Sequence, residues 1–297
     1  MQKILLTGIN GQVGHALLPK LAAYQVVALS RHELDLSNQD EIRRVVSGIK
    51  PNLIINPAAY TAVDKAESEP ELAYAINAEA AQILAEEAAK LGAALIHFST
   101  DYVYDGAKAS PYLESDAVNP VGIYAKSKLA GEDAIRAVGL PHLILRTSWV
   151  YGATGKNFLK TILRLAAERD SLRIVAYQIG APTSSESIAN AALKLVEHWQ
   201  TAQENQSGIY HLTNAGETSW HGFSCEIVNE YNSLGIEPAL KTSMENIAAI
   251  ATADYPTPAA RPANSRLDNT KLKQTFGIAL PTWQQALHDV MQALKTG

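Results

Sequence analysis

The chain has 297 residues, of which 47% are hydrophobic and 19% are charged, and its formal net charge at pH 7 is −5. This balance is ordinary for a globular protein and excludes a strongly basic nucleic-acid footprint, while the single cysteine excludes an internal disulfide framework. Because no apolar run approaches the ~20 residues of a membrane span, we expect a cytoplasmic protein of one large or two moderate domains, with no membrane or nucleic-acid partner.

Up to about residue 150, short apolar runs alternate with longer segments of helical period. The apolar runs predict strands over residues 3–7, 26–29, 53–56, 94–99 and 143–147. The segments between them predict helices over residues 12–23, 39–48, 70–91 and 123–138. The first run is too short in its apolar part for a signal peptide, so we expect it to be a strand. This alternation predicts right-handed βαβ units around a buried parallel sheet, an α/β fold.

Beyond residue 150 the pattern is looser. Helical periods cover residues 157–169, 185–200, 220–231 and 283–294, and residues 208–212 predict a strand. Pro- and Thr-rich pieces such as residues 255–258 lie between them. We expect a smaller, irregular C-terminal region packed over the sheet edge, without a flexible linker before it.

A glycine-rich turn follows the first strand and opens the first helix, with the spacing G-x-x-G-x-x-G. Glycines at such a turn allow a tight bend and a close approach of the backbone to a pyrophosphate. The free N–H groups of the helix start then favour the anion. A plain strand-to-helix turn is the alternative, but the βαβ context favours dinucleotide binding. The expected cofactor contacts are Gly8, Asn10, Gly11, Gln12, Val13 and Gly14.

The end of the second strand indicates which nicotinamide cofactor is used. An NAD-preferring site usually has Asp or Glu here, whereas this chain has Ser30 and Arg31. A guanidinium suits a 2′-phosphate, so we expect NADPH, with NADH as a second possibility. Further cofactor contacts are expected at Asp35, Leu36, Ala58, Ala59 and Tyr60, where small residues at a strand end leave room for a ligand.

A proton-donating group is predicted between residues 99 and 128. Thr100 lies at the end of an apolar run, and Tyr124 and Lys128 are four residues apart, on one face of a predicted helix. Tyr124 would protonate a developing alkoxide and Thr100 would polarise the carbonyl. The Lys128 ammonium, with the positive nicotinamide ring, is expected to lower the pKa of Tyr124 from its ordinary value of about 10. Tyr124 and Lys128 are also expected to contact the cofactor.

Several motifs together resemble the dTDP-4-dehydrorhamnose reductase family of the extended short-chain dehydrogenase/reductase superfamily. They occupy residues 8–14, 35–36, 56–67, 99–106, 119–120, 124–128, 146–152, 180–183 and 261–265. The resemblance covers nearly the whole chain. It implies a Rossmann-type doubly wound parallel sheet and reduction of a 4-keto nucleotide sugar. It also implies a division into residues 1–150, mainly a dinucleotide-binding core, and residues 151–297, mainly a smaller substrate-binding region with some segments returning to the core.

The resemblance also implies roles for individual residues. It makes Thr100, Tyr124 and Lys128 the catalytic set, and it places a tryptophan against the sugar and an arginine on the substrate side. The resulting substrate set is Thr100, Asp101, Tyr102, Tyr124, Trp149, Asn157 and Arg261. Some members of the family bind Mg²⁺ through glutamates at a dimer contact. Because only Glu186 has a counterpart here, we expect no metal, and either a monomer or a homodimer.

Two other interpretations remain open from the sequence. One is a different nucleotide-sugar reductase, epimerase or dehydratase of the extended group. Dehydratases usually carry a carboxylate pair after the threonine, where this chain has Asp101 and then Tyr102. The other is a non-catalytic NADP-binding subunit that regulates a methionine adenosyltransferase. An intact set of Thr100, Tyr124 and Lys128 argues against it without excluding it.

Overall fold

The computed structural model describes residues 2–201 and 206–296 of the chain. Its strands are β1 (Lys3–Thr7), β2 (Gln25–Leu29), β3 (Leu53–Asn56), β4 (Ala94–Thr100), β5 (His142–Thr147), β6 (Val150–Tyr151), β7 (Leu172–Val175), β8 (Ile179–Gly180), β9 (Thr183–Ser184), β10 (Gly208–His211), β11 (Thr218–Ser219) and β12 (Ile247–Ile250). Its α-helices are α1 (Gln12–Leu17), α2 (Gln39–Ile49), α3 (Val63–Ala66), α4 (Pro70–Tyr74), α5 (Ala80–Lys90), α6 (Ile123–Val138), α7 (Phe158–Glu168), α8 (Ser185–Thr201), α9 (Trp220–Ser233), α10 (Thr270–Phe276) and α11 (Trp283–Thr296). The described part leaves out Met1, residues 202–205 and Gly297. Met1 and Gly297 are the end residues of the two predicted regions, 1–150 and 151–297.

A six-stranded parallel sheet forms the centre of the molecule, in the order β2-β1-β3-β4-β5-β10. The chain runs outward from β1 to β2 and then returns past β1 to β3. The connections therefore change direction between β1 and β3, and in open α/β sheets a ligand crevice forms outside the carboxyl ends of the strands at such a point. The predicted doubly wound parallel sheet is confirmed.

Helices cover both faces of this sheet because its strands are apolar on both sides. On one face α1, α8 and α10 pack against alternate residues such as Ile4 and Leu6. On the other face α2, α5 and α6 pack against the strand residues that point the opposite way, such as Leu5 of β1 and Ile54 of β3. A third apolar cluster, away from the sheet, joins α7, α9 and α11 to β7 and β12. No helix in residues 2–201 and 206–296 combines the length and apolarity needed to cross a membrane.

Two predicted helices differ from the observed ones. The helix predicted over residues 12–23 is α-helical only to Leu17 and continues as a 3₁₀ turn over Leu18–Leu21. Pro19 explains the change, because proline has no N–H to donate and its ring crowds the carbonyl one turn earlier. The helix predicted over residues 70–91 contains a π-helical segment, Ala75–Glu79, between α4 and α5. Such a segment inserts one extra residue and redirects the side chains around it.

Candidate active site

A cavity of about 600 Å³ opens at the carboxyl edge of the sheet, between the ends of β1 and β3. Its wall brings together residues from several of the predicted motifs, which lie far apart along the chain. Of the predicted cofactor contacts, the lining contains Gly8, Asn10, Gly11, Gln12, Val13, Arg31, Asp35, Leu36, Ala58, Ala59, Tyr60, Tyr124 and Lys128. Gly14 and Ser30 lie outside the lining.

The glycine turn is packed too closely for side chains. Gly8 has φ +62°, and a Cβ there would lie 2.9 Å from the Cα of Ala58, at the end of β3. A Cβ on Gly14 would lie 2.3 Å from the Gly8 carbonyl oxygen. Gly14 therefore allows α1 to begin directly behind the turn, and Gly8 brings the turn against the β3 end. The result is an open backbone cradle of the kind that a pyrophosphate needs.

The adenosine end of the cavity carries both signs of charge. Arg31 and Asp35 line it, and the Asp35 carboxylate accepts hydrogen bonds from the backbone N–H and hydroxyl of Ser37, at 2.9 and 2.8 Å. The Ser30 backbone N–H donates to the Glu33 carboxylate at 2.8 Å. Sequence reasoning missed Glu33. A carboxylate four residues after the strand end was visible in the sequence, but only the folded turn shows that it reaches back to Ser30.

The three predicted catalytic residues meet at the ends of β4 and α6. Thr100 is the last residue of β4, and its hydroxyl is near enough to the Tyr124 phenol to lower the pKa of Tyr124. Tyr124 and Lys128 occupy successive turns of α6 and both line the cavity. The Tyr102 ring packs edge-on against Tyr124, with 5.8 Å between ring centroids. An acid, a hydroxyl donor and an ammonium are thus assembled next to the glycine cradle.

Lys128 is held by a buried row of polar side chains that sequence reasoning did not assemble. Its ammonium donates to the Phe98 carbonyl oxygen at 2.6 Å and lies 3.2 Å from His97 Nε2. His97 Nδ1 lies 3.1 Å from the Asn56 amide nitrogen, and Asn56 accepts a hydrogen bond from Thr7 at 2.6 Å. His97 lies within β4 and is buried. Burial, with the Lys128 charge, holds its pKa well below the usual value and keeps it neutral.

The expectation that Lys128 lowers the pKa of Tyr124 is wrong for the protein by itself. Burial raises the pKa of Tyr124 to about 12, the Thr100 hydroxyl opposes this, and the nearby Asp101 charge adds to it. Burial also lowers the pKa of Lys128 to about 8, against the charge of Glu132. Lys128 directs its ammonium at Phe98 and His97, which explains why it does little for the phenolate. Tyr124 is therefore protonated at neutral pH, as a proton donor must be.

The π-helical segment before α5 joins the cofactor side to the catalytic helix. Asn77 accepts a hydrogen bond from the Tyr60 N–H at 2.9 Å and donates to the Tyr60 carbonyl at 3.1 Å. The same amide donates to the Ser127 hydroxyl at 3.0 Å, and Ser127 donates to the Tyr124 carbonyl at 2.8 Å. Sequence reasoning missed Asn77, because the period of an alanine-rich helix does not reveal a single inserted residue.

A buried ion pair lies on the same sheet face, one turn further along α6. Arg146 of β5 donates to both oxygens of Glu132, with the shortest contact at 2.6 Å, and the two side chains are 2% and 0% exposed. Ser99 also donates to Glu132, and the Tyr104 hydroxyl accepts from Arg146 at 2.7 Å. The pair fixes α6 relative to β4 and β5. An arginine inside the apolar run of β5 was the signal that could have revealed it.

Trp149 follows β5 and lies against a second tryptophan. The two rings of Trp149 and Trp220 are stacked with 3.5 Å between centroids, and Phe158 packs on Trp220 at 4.4 Å. Trp149 has φ +49°, a left-handed conformation that is strained for a bulky side chain. Such strain concentrates at functional sites. Sequence reasoning missed Trp220, which supports the indole of Trp149 on one face.

Arg261 and Tyr102 line a second, smaller cavity of about 50 Å³, separate from the lining of the first. Arg261 donates to Asp64 at 2.7 Å and to the Ala259 carbonyl at 3.2 Å. This ion pair attaches the segment before the Arg-Pro motif to α3, on the cofactor side. The Arg261 side chain is about one-fifth exposed.

Asn157 caps α7 and contacts the glycine turn. Its side-chain oxygen accepts from the Lys160 N–H at 3.0 Å, and its amide donates to Gln12 at 3.1 Å and to the Gly152 carbonyl at 2.8 Å. These bonds hold the C-terminal region against the cofactor turn. A substrate contact of Asn157 stays a prediction.

Glu186, the lone counterpart of the family's metal-binding glutamates, forms an ion pair with Lys20 at 2.9 Å. In the described part of the chain, no group of three or more His, Cys, Asp or Glu side chains is arranged to hold a metal ion.

Three comparisons bear on identity. The model of the RmlD substrate binding domain family matches residues 1–296. A dTDP-4-dehydrorhamnose reductase of Burkholderia thailandensis is 48% identical over 96% of this chain and 96% of its own length, and one of Escherichia coli K12 is 42% identical over 99% and 98%. The crystal structure of a Bacillus anthracis dTDP-4-dehydrorhamnose reductase in complex with NADP is 34% identical. It superposes with a TM-score of 0.90, covering 98% of this chain and 99% of that one.

Proposed function

The chain belongs to the dTDP-4-dehydrorhamnose reductase family, and from this we propose that it reduces the 4-keto group of dTDP-4-dehydro-L-rhamnose with NADPH, giving dTDP-L-rhamnose. One observation carries the proposal beyond likeness. Tyr124 and Lys128 line the same cavity as the glycine cradle, so a proton donor stands beside the place where a dinucleotide would lie. The enzyme is an oxidoreductase of nucleotide-sugar biosynthesis.

NADPH fits the residues present. The cradle at Gly8 and Gly14 leaves the backbone bare for a pyrophosphate, and Arg31 supplies a cation at the adenosine end. When bound, the cofactor supplies the hydride for the carbonyl carbon. Lys128 and Tyr124 would hold its ribose, and Asn77 would keep the Tyr60 segment in place beside it.

The chain's own residues handle the oxygen of the ketone. Thr100 donates a hydrogen bond that polarises the carbonyl as negative charge builds on its oxygen. Tyr124 transfers its phenolic proton to that oxygen. The Phe98 carbonyl oxygen and His97 hold the Lys128 ammonium, so Lys128 would act through the ribose of the cofactor and not on the phenolate.

The substrate-side roles are proposals that rest on position. Trp149 is stacked on Trp220 and would place its indole against a sugar ring. Asp101 and Tyr102 adjoin Thr100, and Arg261 would face the diphosphate with the part of its guanidinium that Asp64 leaves exposed. Asn157 would contribute through its link to the glycine turn.

The roles of the two regions of the chain, the cellular location of the protein and its oligomeric state are proposals as well. Residues 1–150 would mainly hold the cofactor and residues 151–297 mainly the substrate, with α8, β10 and α10 returning to the core. We propose a cytoplasmic location and a monomer or homodimer without a bridging metal.

Replacing Arg31 with alanine is expected to raise the KM for NADPH about tenfold and to leave the KM for NADH nearly unchanged. The substitution removes one charge-assisted contact to the 2′-phosphate. Losing about 1.4 kcal/mol of binding free energy with that contact corresponds to a factor of ten in KM. Steady-state kinetics with each cofactor measure this. Arg44→Ala, on the exposed face of α2, is the matched control. An equal rise in KM for both cofactors in Arg31→Ala would contradict the NADPH assignment. At least tenfold better use of NADH by the wild type would contradict it as well.

The proposed activity is tested by following NADPH oxidation on dTDP-4-dehydro-L-rhamnose and identifying the product by NMR. Stoichiometric NADPH consumption with appearance of dTDP-L-rhamnose is expected. Interconversion of dTDP-L-rhamnose with its C4 epimer, without net NADPH consumption, would indicate an epimerase. Tight NADPH binding without turnover would indicate the regulatory subunit instead.

A further inference from the structure

The Thr100 hydroxyl has a single proton to donate but three neighbouring groups that can form hydrogen bonds. Thr100 and Asp101 are 5% and 4% exposed, and Thr100 Oγ1 lies 3.0 Å from Asp101 Oδ1. The backbone N–H of Tyr102 donates to Thr100 Oγ1 at 3.2 Å. The Tyr124 phenol is a further neighbour, since the Thr100 hydroxyl lowers its pKa. Three protein groups therefore surround the oxygen that is meant to polarise a substrate carbonyl.

A hydroxyl donates one hydrogen bond and accepts two. An ionised Asp101 can only accept, so the Thr100 proton would point at Asp101. The two lone pairs of Thr100 would then take the Tyr102 N–H and the Tyr124 O–H. In that arrangement Thr100 has no proton left to donate to a substrate carbonyl. The Tyr124 proton points at Thr100 and not at the substrate.

Burial of Asp101 shifts its equilibrium toward the neutral carboxylic acid, against the nearby hydroxyls of Ser265 and Thr100, which lower its pKa. Asp101 Oδ2 is buried and has no hydrogen-bond partner among the described residues. An ionised Asp101 in turn raises the pKa of the phenols of Tyr102 and Tyr124. Desolvation, with no cation in contact, raises the pKa of Asp101 to about 6.

We propose that Asp101 is a positioning residue whose proton sets the direction of the Thr100 hydrogen bond. Protonated Asp101 donates a hydrogen bond to Thr100 Oγ1. This bond and the one from the Tyr102 N–H occupy both lone pairs of Thr100 Oγ1. The Thr100 proton and the Tyr124 proton are then both free to point at the oxygen of a bound ketone. Asp101 keeps its proton throughout, and Tyr124 alone gives up the proton that the alkoxide receives. This inference rests on the proposed reduction.

The test compares the pH dependence of kcat in the wild type and in Asp101→Asn between pH 5.5 and 8. Since a raised pKa means that Asp101 is protonated below about pH 6 and ionised above it, the wild-type rate is expected to fall as pH rises through that value. The amide introduced by Asp101→Asn cannot ionise and donates at every pH, so the variant should give a level profile. Asp101→Ala, which cannot donate, should be about tenfold slower than Asp101→Asn at all pH values. Asp116→Asn, at a partly exposed pair with Lys108, is the matched control and should keep the wild-type profile.

A pH-dependent fall that persists in Asp101→Asn would overturn the inference, as would equal rates of Asp101→Asn and Asp101→Ala. A readout without turnover separates this from the proposed function. The infrared C=O stretch of a protonated carboxyl should appear in the wild type below about pH 6 and be missing in Asp101→Asn. If the wild type shows that band and does not oxidise NADPH, the proposed function fails. If it turns over and lacks the band, the role of Asp101 fails.

Discussion

Tyr124→Phe is expected to lower kcat by about 10²-fold or more while leaving the affinity for NADPH nearly unchanged. The substitution removes only the hydroxyl, which is the group in reach of Thr100. The ring keeps its edge-on contact with Tyr102, so the shape of the cavity is retained. Because the buried phenol is protonated at neutral pH, its loss takes away the proton donor and not a charge.

Single-turnover and steady-state rates with the keto-sugar, together with NADPH binding by fluorescence titration, measure this. Tyr112→Phe is a suitable control, because Tyr112 is also a buried tyrosine that donates its hydroxyl to a carboxylate, Asp105, but lies outside the cavity. Its kcat should stay close to that of the wild type. Near wild-type turnover of Tyr124→Phe would remove Tyr124 from the acid role.

Glu132→Ala is expected to lower the free energy of unfolding by about 3–5 kcal/mol. Glu132 is the buried partner of the Arg146 guanidinium, and Ser99 donates to it as well. Removing the carboxylate leaves the Arg146 guanidinium inside the sheet face without its ion-pair partner. The loss should therefore greatly exceed that of an exposed pair.

Urea unfolding, checked for reversibility, measures the difference. Glu168→Ala breaks an exposed ion pair with Arg164 on α7 and should change stability little. Replacing Glu132 and Arg146 together with leucine and methionine removes both charges and should recover most of the loss. A loss of under about 1 kcal/mol for Glu132→Ala would mean that Arg146 finds another partner.

The sequence was most informative where local chemistry and long-range structure agree. The strand ends at Thr7 and Asn56 were predicted at the observed residues, and that of β4 was predicted at Ser99, one residue early, because apolar runs stop at glycine, proline or hydroxyl residues. The cavity-lining set followed from the rule that ligands lie outside the carboxyl ends of parallel strands. The two-residue strands β6, β8, β9 and β11 left no trace in the sequence, since no periodic pattern fits into two residues.

Contacts between distant segments were the least predictable part of the site. The stacking of Trp149 on Trp220 and the pairing of Arg261 with Asp64 join residues that no local pattern connects. The same is true of the proximity of Lys128 to a buried histidine of β4. The expected effect of Lys128 on the catalytic tyrosine failed for this reason, because the direction of an ammonium depends on which carbonyl and imidazole it meets after folding.

The position of β10 at the sheet edge has a consequence for how the protein emerges from the ribosome. β5 gains its outer neighbour only when Gly208–His211 is available, and the apolar face that includes Leu17 and Leu21 is covered by α8. A nascent chain that ends near residue 150 would thus carry an unpaired strand edge and a bare apolar face. Both features promote aggregation of partly synthesised chains. Residues 1–150 should therefore depend on translation of the rest of the chain, or on a chaperone, to stay in solution.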